Sequence, residues 1–482
     1  MLEREGPCRH YRGMNNNPQA SKYTPNPAID ALSSWLGSPV KAADFPKTQL
    51  LFRNDRAAAS VGLSDLSDEA WLTHFGRFEP LPDNLSTPLA LKYHGHQFRN
   101  YNPEIGDGRG FLFAQMKGRD GRLMDLGTKG SGTTPFSRSG DGRLTLKGAV
   151  REILATEMLE ALGVNTSKTF SVVETGEELE RGDEPSPTRS AVMVRLSHSH
   201  IRIGTFQRLM AIEDRDAMAA LVDYCLAHFP GPPPPTDAPG RDEPAVMLMH
   251  LVVERMADLA ASYMVAGFVH GVLNTDNMNI TGESFDYGPW RWLPQWDPSF
   301  TAAYFDHGRL YAFGRQPEAL HWNSGQFAVA LRLLTESEPL VFALERFGAL
   351  YMEAIARRWC WRLGLVPRGL ETDSQLISQC EQAMRESKLG PDDFFFALRS
   401  GASDKLAENN AFISALEAYE RVEDSHQYWS DETPQSMLIE EVEAIWSAID
   451  KRDDWQPLND KVTALRRMGE AHGTPPHPAG NI

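Results

Sequence analysis

The sequence predicts an α+β fold in which a small β-rich lobe precedes a larger helical lobe, with additional segments at both ends. Three observations support this prediction. Between Gly106 and Leu196 the chain reads as short strands interrupted by one helix. A proline-rich stretch, residues 229–244, then breaks the chain and is expected to be a surface loop. From about Leu320 onward, apolar residues recur with helical periodicity and without the alternation of strands.

The first hundred residues are expected to form an N-terminal extension that packs on the small lobe. Apolar spacing indicates short helices around Ala28–Leu36 and Ser67–Phe75. Ser67 suits the start of the second helix because its hydroxyl can accept a hydrogen bond from a backbone N–H of the first turn.

The small lobe is predicted to span residues 101–204 and to contain strand, strand, helix, strand and strand. These elements are residues 110–118, 123–130, 144–163, 168–175 and 191–196. The helix has one apolar face, and Gly163 suits its end. That face consists of Val150, Ile153, Leu154, Met158 and Leu162.

The large lobe is predicted to span residues 205–315, and residues 316–482 to form a helical C-terminal region. Its first long element is a helix over residues 245–268, which leads directly into a motif-rich stretch.

Composition disfavours several classes of partner. The 482 residues are 41% hydrophobic and 23% charged, and the net charge of −17 argues against general binding to nucleic acid or to acidic membranes. The cysteines show neither a CxxC pair nor zinc spacing, which favours free thiols in a reducing compartment. They are Cys8, Cys225, Cys360 and Cys380. The N-terminus lacks the apolar run of a signal peptide, and no run approaches the ~18 residues of a membrane span. We therefore expect a cytoplasmic protein.

The stretch HGVLNTDNMNITGESFDYG, residues 270–288, carries the strongest chemical signal. Kinase catalytic loops read His-x-Asp, then four residues, then Asn, with Asp-Phe-Gly further on. Here His270 and Asn277 keep the spacing and Asp286 begins Asp-Tyr-Gly, but Val272 replaces the catalytic base. The amide oxygen of Asn277 and the carboxylate of Asp286 are hard ligands suited to Mg²⁺ or Mn²⁺ bound to phosphates. The alternative for both residues is a turn cap.

Glycine-rich loops in the small lobe point to a phosphate site. They are IGDGRG (105–110), GSG (130–132) and SGDGR (139–143). Such loops let backbone N–H groups approach a phosphate, although tight hairpin turns use the same glycines. Arg109 and Arg143 each follow Asp-Gly, and a guanidinium group suits phosphate oxygens.

Four charged residues in the small lobe have placements that fit nucleotide binding. Lys129 ends the second strand and Glu152 lies on the following helix, as do the phosphate-contacting lysine of kinases and the glutamate that holds it. Arg195 and Arg202 flank LSHSHI. An arginine at the end of a buried strand requires an anion or a carboxylate, so each either contacts phosphate or forms a structural salt bridge.

Together, these motifs resemble the selenoprotein O family, whose kinase-fold members lack the usual catalytic aspartate. The resemblance covers roughly residues 90–310. It rests on YHGHQF, IGDGRG, LGTKGSGTTPFSRSGDGR, VREILATEML, MVRLSHSHIRIGTF and GFVHGVLNTDNMNITGESFDYGP. It implies a protein-kinase-like bilobal fold and protein adenylylation (AMPylation). ATP, turned round relative to kinases and bound with Mg²⁺ or Mn²⁺, would donate AMP to a Ser, Thr or Tyr hydroxyl of a protein substrate.

The resemblance also implies roles for individual residues. Asp276 matches the proton acceptor, and Asn277 and Asp286 match the metal ligands, with Asp286 also at the nucleotide. Glu152 matches the helix glutamate that orients Lys129. Nucleotide contacts fall on Gly106, Gly108, Arg109, Lys129, Asp141, Gly142, Arg195 and Arg202.

The chain departs from the family pattern at two places. His94 and Arg99 stand where the family usually has Ala and Gly in Tyr-Ala-Gly-His-Gln-Phe-Gly. The C-terminal third diverges and its last cysteine is Cys380, so a redox-active disulfide to the C-terminus is not expected.

Two other functions remain open at this point. A kinase-like phosphotransferase would require a proton acceptor at Val272, which valine cannot provide. A nucleotide-binding pseudokinase scaffold would not require the set of Asp276, Asn277 and Asp286.

Overall fold

The computed structural model describes residues 22–182, 184–401, 410–423 and 425–476 and has the predicted α+β class. The chain divides into two compact units. The first consists of the residues up to Thr156 together with Ser167–Pro230 and Asn279–Glu283. The second consists of Glu157–Thr166, Gly231–Met278 and the residues from Ser284 onward. The four-part division expected from the sequence stays a prediction.

The first unit is built on an antiparallel sheet. Its strands are β1 (Gly37–Pro39), β2 (Gln49–Arg53), β3 (Leu89–Leu91), β4 (Gly95–Gln97), β5 (Asn100–Asn102), β6 (Leu112–Lys117), β7 (Leu123–Lys129), β8 (Leu144–Thr145), β9 (Lys168–Leu179) and β10 (Thr188–Ser197). Their order is β1-β3-β6-β7-β10-β9-β2, with β8 also paired to β10 and with β4 and β5 forming a separate hairpin. The second unit contributes a short antiparallel pair, β11 (Phe268–Val269) and β12 (Arg291–Trp292).

Helices occur in both units. Up to residue 228 they are α1 (Ser33–Leu36), α2 (Asp55–Ser60), α3 (Asp68–Phe75), α4 (Leu146–Ala161), α5 (Ile203–Ala211) and α6 (Arg215–His228). From residue 244 they are α7 (Pro244–Ala266), α8 (Gln316–Leu331), α9 (Ser337–Glu345), α10 (Phe347–Leu363), α11 (Leu370–Ser387), α12 (Pro391–Ser400), α13 (Asn410–Glu417), α14 (Ile439–Arg452) and α15 (Gln456–His472). Short 3₁₀ helices cover Ala28–Leu32, Thr275–Asn277, Phe313–Arg315 and Gln427–Ser430.

An aromatic cluster forms part of the core of the first unit. Trp71 on α3 stacks on Phe170 of β9 with ring centroids 4.8 Å apart, and Phe75 meets the same ring edge-on. The indole N–H of Trp71 donates to the Ser171 hydroxyl at 2.9 Å, so its polar atom is satisfied inside the core. Helix α3 is therefore packed against strand β9 of the sheet.

Helix α7 organises the second unit because it is apolar around most of its circumference. Most of its residues are buried, and it ends where Gly267 adopts φ +65°. A buried ion pair joins it to α10, since Arg358 Nε and Nη2 donate to the Asp258 carboxylate at 3.0 and 2.6 Å. Breaking one side of such a pair typically costs about 3–5 kcal/mol.

Most predicted elements are confirmed within a few residues. Ser67 accepts a hydrogen bond from the Ala70 N–H at 3.2 Å, as expected of the cap of α3. The hairpin of β6 and β7 is present, and the predicted apolar face of α4 is buried.

Element boundaries were predicted wrongly in three parts of the chain. Leu144 and Thr145 pair with β10 as strand β8 instead of starting the helix. Their backbones lie beside a part of β10 where the sheet can still be extended by another strand. Strands β9 and β10 are longer than predicted and continue toward the polar loop between them. Helix α7 ends at Ala266, because Gly267 is left-handed and Phe268 already pairs with Trp292.

The cysteines that the structure describes are buried free thiols. They are Cys225, Cys360 and Cys380, while Cys8 lies outside the described residues. Burial raises the pKa of Cys360 to about 12 and that of Cys380 well above the ordinary value. Reactive thiolates are therefore disfavoured at both positions.

Within the described ranges, none of the helices combines the length and the apolar character that crossing a lipid bilayer requires. The N-terminal stretch expected to lack a signal peptide lies outside those ranges.

Candidate active site

The loop that contains Gly106 and Gly108 lies against the turn around Phe136. A Cβ atom on Gly106 would come within 2.5 Å of the Phe136 ring, and one on Gly108 within 3.0 Å of the Phe136 carbonyl oxygen. The hydroxyls of Thr134 and Ser137 donate to the carbonyl oxygens of Asp107 and Gly108 at 2.6 and 2.5 Å. Both glycines are thus required by close approach of the chain to itself, and the loop is held in one conformation.

Arg109 follows this loop and presents an exposed side chain. Its carbonyl oxygen accepts a hydrogen bond from the Gly130 N–H at 2.7 Å, which fixes its backbone beside the end of β7. Among the residues that the structure describes, its guanidinium group forms no ion pair. Arg109 is therefore an exposed cation on a fixed backbone, accessible to an anion.

Lys129, Glu152 and Arg195 form a buried charged cluster in the first unit. Lys129 Nζ lies 2.5 Å from Glu152 Oε2, and Arg195 Nη1 lies 3.6 Å from Glu152 Oε1. The three residues are 7%, 1% and 3% exposed, so one carboxylate lies beside two cations that water barely reaches. The predicted contact between Lys129 and Glu152 is present.

Arg202 contacts a carboxylate that the sequence argument had not singled out. Its Nη2 lies 3.2 Å from Asp107 Oδ1, and its guanidinium group stacks 4.5 Å from the centroid of Tyr93. The other carboxylate oxygen, Asp107 Oδ2, accepts the backbone N–H of Leu91 at 3.1 Å. Through these contacts, the loop that contains Gly106 and Gly108 is connected to Arg202, the residue that precedes α5. Asp107 could have been found from its position between two loop glycines.

Asp141 and Gly142 form a turn near the surface of the first unit. Gly142 has φ +70°, and a Cβ atom there would lie 2.2 Å from the Gly132 carbonyl carbon. Burial raises the pKa of Asp141, but hydrogen bonds from Arg181 and from the backbone N–H of Arg143 outweigh it and hold the pKa below its ordinary value. Asp141 is thus a negatively charged hydrogen-bond acceptor. Gly142 beside it occupies a position that has no room for a side chain.

In the second unit, side chains from elsewhere in the unit fix the backbone of residues 270–277, which is named the catalytic loop for its resemblance in sequence to that loop of kinases. Gln316 Oε1 accepts the N–H of His270 at 3.0 Å, and Asn323 Nδ2 donates to the Leu273 carbonyl at 2.9 Å. The Tyr311 hydroxyl donates to Asn274 Oδ1 at 2.8 Å. These contacts hold the loop on both sides of Val272, although the sequence analysis had singled out none of the three donors and acceptors.

Asp276 and Asn277 lie on one short 3₁₀ turn, Thr275–Asn277. Asp276 is 8% exposed. Asn277 Nδ2 donates to the Val272 carbonyl at 3.0 Å, which leaves Oδ1 as the atom suited to bind a metal. Val272, which stands in the position of the kinase base, therefore stabilises the loop through its backbone carbonyl oxygen.

Asp286 has a backbone conformation that is unusual for a residue other than glycine. Its φ is +60°, in the left-handed region, and such positions concentrate at functional sites. The neighbouring Tyr287 is buried, with its hydroxyl 2.6 Å from that of Thr166. His270 lies 3.1 Å from the Phe285 carbonyl oxygen, so the catalytic loop contacts the segment that carries Asp286.

The donor set fits a hard divalent cation in chemical type. Asn277 and Asp286 offer one amide oxygen and one carboxylate, and Mg²⁺ is commonly bound by one or two such ligands together with phosphates and water. In the described part of the chain, no three His, Cys, Asp or Glu side chains are grouped so as to hold a metal ion by themselves.

Residues Asn279–Glu283 belong to the first unit and are anchored within it. Asn279 Nδ2 donates to the Ser199 carbonyl at 2.5 Å, and the Ile280 N–H donates to the Ile201 carbonyl at 3.1 Å. Glu283 is buried and its Oε2 accepts the His198 N–H at 2.8 Å. Burial raises the pKa of the Glu283 carboxyl to about 7, with the His198 N–H opposing the rise.

The comparisons with known proteins agree with one another. The family model described as protein adenylyltransferase SelO matches residues 19–437. The chain is 42% identical over 474 residues to protein nucleotidyltransferase YdiU of Synechocystis sp., covering 92% of this chain and 98% of that protein. It is 41% identical to the protein of the same name from Gloeobacter violaceus, covering 94% and 97% of the two chains.

We predict that Glu283→Gln changes how stability depends on pH. The folded-state pKa of about 7 exceeds the ordinary value of 4.5, so the folded protein binds this proton more tightly and loses stability as the pH rises between those values. Gln keeps an acceptor for the His198 N–H without the charge. Relative to that of the parent chain, the variant's free energy of unfolding should rise by about 2 kcal/mol between pH 5 and pH 8. Denaturant unfolding at both pH values measures this change.

The matched control is Glu178→Gln, which replaces an exposed carboxylate on β9 of the same unit. Because Glu178 is exposed, this variant removes no buried carboxylate, and its stability relative to the parent at the two pH values serves as the baseline. If the free energy of unfolding, relative to the parent chain, changed equally with pH in both variants, Glu283 would already be charged at pH 5.

Proposed function

Because the chain belongs to the protein adenylyltransferase SelO family, we propose that it transfers AMP from ATP to Ser, Thr or Tyr hydroxyls of proteins. The observation that carries the proposal is the catalytic loop, in which Val272 replaces the kinase base while Asp276 follows on a fixed 3₁₀ turn. A proton acceptor at Asp276 suits a nucleotide turned round relative to that of kinases. We further propose a protein-kinase-like bilobal fold and a cytoplasmic location.

In this proposal the cationic groups for the triphosphate are Lys129, Arg195, Arg202 and Arg109. Lys129 and Arg195 are held by Glu152, and Arg202 is held by Asp107. Guanidinium and ammonium groups fixed in this way bind phosphate with less loss of side-chain entropy than mobile ones. Arg109 adds an exposed cation next to the loop glycines. Asp141 and Gly142 are assigned to the nucleotide by the resemblance.

In the same proposal Asn277 and Asp286 are the metal ligands and Asp276 is the base. Asn277 and Asp286 would bind Mg²⁺ or Mn²⁺, which neutralises charge on the phosphates when bound. The acceptor hydroxyl oxygen forms a bond to the α-phosphorus while the bond from that phosphorus to the bridging oxygen breaks. Pyrophosphate leaves, and the hydroxyl proton goes to the Asp276 carboxylate. Burial of Asp276 limits the water that would compete for its oxygens.

We predict that α-labelled ATP, and not γ-labelled ATP, labels protein when incubated with this chain and a divalent metal. The physical reason is that Val272 cannot accept the proton from a hydroxyl that attacks in the kinase geometry. Label can be followed on a denaturing gel, either on the chain itself or on added protein. Incorporation of the γ-label would instead identify a phosphotransferase, and no incorporation of either label would favour a scaffold.

We predict that Asp276→Asn lowers the rate of AMP transfer by roughly 10²–10⁴-fold, the loss typical of a removed general base. The amide can still accept hydrogen bonds within the 3₁₀ turn but is a far poorer proton acceptor. ATP affinity should be largely kept, because the proposed metal ligands are unchanged. Initial rates and ATP titrations on the same preparation measure both quantities.

Asp297→Asn provides the control, since Asp297 caps a turn of the same unit by accepting the Ser299 N–H at 2.8 Å. It should transfer AMP at the parental rate. Near-parental transfer by folded Asp276→Asn would remove Asp276 as the base.

A further inference from the structure

Tyr304 and Phe305 form an exposed aromatic pair in the second unit. They are 83% and 43% exposed, and their rings meet edge-on with centroids 5.1 Å apart. Aromatic side chains carry a large apolar area and are mostly buried in globular proteins. Two neighbouring aromatic rings left at the surface therefore suggest a contact with another molecule.

The backbone on the N-terminal side of the pair is held against the catalytic loop. Ala302 and Ala303 are 8% and 2% exposed. A Cβ atom on Gly271 would lie 3.0 Å from Ala302 Cβ and 3.5 Å from the Ala303 nitrogen. The aromatic pair thus directly follows residues that touch the loop carrying Asp276.

The C-terminal side is fixed by a buried carboxylate. Asp306 is 5% exposed and accepts the N–H groups of Leu310 and Tyr311 at 2.9 and 2.8 Å. Tyr311 in turn donates its hydroxyl to Asn274, two residues before Asp276. The two rings are therefore displayed on a preorganised loop, and binding through them would require little ordering of the backbone.

The same loop carries an exposed cation. Arg309 is exposed and lies in a left-handed turn at φ +52°, where its N–H donates to the Asp306 carbonyl at 3.0 Å. Within the described residues its guanidinium group forms no ion pair. Tyr, Phe and Arg are enriched in protein–protein interfaces, and Tyr and Arg are frequent among the residues that dominate binding energy.

We propose that Tyr304, Phe305 and Arg309 form the surface on which the acceptor protein docks. The two rings cover an apolar side chain close in sequence to the modified hydroxyl, and Arg309 pairs with a carboxylate of the same segment. Continuity with the catalytic loop favours the acceptor over another partner, because a segment on this surface lies beside the loop that would take its proton. The inference rests on the proposed AMP transfer and adds the chemistry of its acceptor.

The test uses peptide libraries as acceptors. Each peptide has one central Ser, Thr or Tyr, and each flanking position is varied in turn among Leu, Phe, Ala, Asp and Lys. Incorporation of α-label is measured for the parent chain, for a variant with both Tyr304→Ser and Phe305→Ser, and for Arg309→Ser. Val341→Ser is the control, because Val341 is 47% exposed on α9 of the same unit. ATP affinity is measured for every variant.

The parent should favour an apolar residue at one flanking position and an acidic residue at another. The double variant should lose the apolar preference, with kcat/KM for the favoured peptides falling roughly tenfold, or about 1.4 kcal/mol. Arg309→Ser should lose only the acidic preference, and Val341→Ser should behave as the parent. Tyr304→Phe should keep the apolar preference, since the ring and not the hydroxyl makes the contact. ATP affinity should be the same throughout.

Two results would overturn the inference while leaving AMP transfer in place. The parent could label peptides without any apolar or acidic preference, or the double variant could keep the parental preferences. If the parent labels neither peptides nor proteins from α-labelled ATP, the proposed function fails, and the docking surface fails with it.

Discussion

The arrangement of the first unit depends on one buried carboxylate, Glu152, which forms ion pairs with two buried cations. Lys129 is at the end of β7 and Arg195 on the adjacent strand β10, and neither could remain charged in so little water without a counter-ion. Helix α4 brings Glu152 to both. Removing one partner of such a cluster leaves an uncompensated charge, which typically costs about 3–5 kcal/mol. The cluster therefore fixes helix and strands together and holds the two cations that we assign to the nucleotide.

In the second unit, the corresponding constraint is that the backbone of the catalytic loop is held by side chains from later in the chain. Gln316, Asn323 and Tyr311 each bond a different residue of the loop. With the loop held in this way, replacement of the kinase base by Val272 need not disturb the positions of Asp276 and Asn277. Under the proposed function, Asp276 can then take the place of the kinase base as proton acceptor while the loop keeps its conformation. Tyr311 also donates its backbone N–H to Asp306, in the segment that displays the exposed aromatic pair.

Much of the first unit could be predicted from the sequence because its signals are local. Alternating strands, a two-strand reversal and a helix with an apolar stripe all depend on residues close in the chain. The pairing of Lys129 with Glu152 was expected from their placement on strand and helix. For Arg202 the sequence left phosphate and salt bridge open, and the structure places Asp107 beside it without excluding phosphate as a further partner.

Other features could not be predicted because they depend on contacts between distant residues. Nothing near Asn274 indicates that Tyr311 would bond it, and nothing near Glu152 indicates that Arg195 would share its carboxylate. The measurement that tests the central claim most directly is a double-mutant cycle of Lys129→Met and Glu152→Gln, with ATP affinity measured on folded protein. If Glu152 holds Lys129 in place for the nucleotide, each single variant should weaken ATP binding. The double variant should then lose about 1 kcal/mol less than the two losses added together. Parental ATP affinity in Glu152→Gln, or strictly additive losses, would contradict the account.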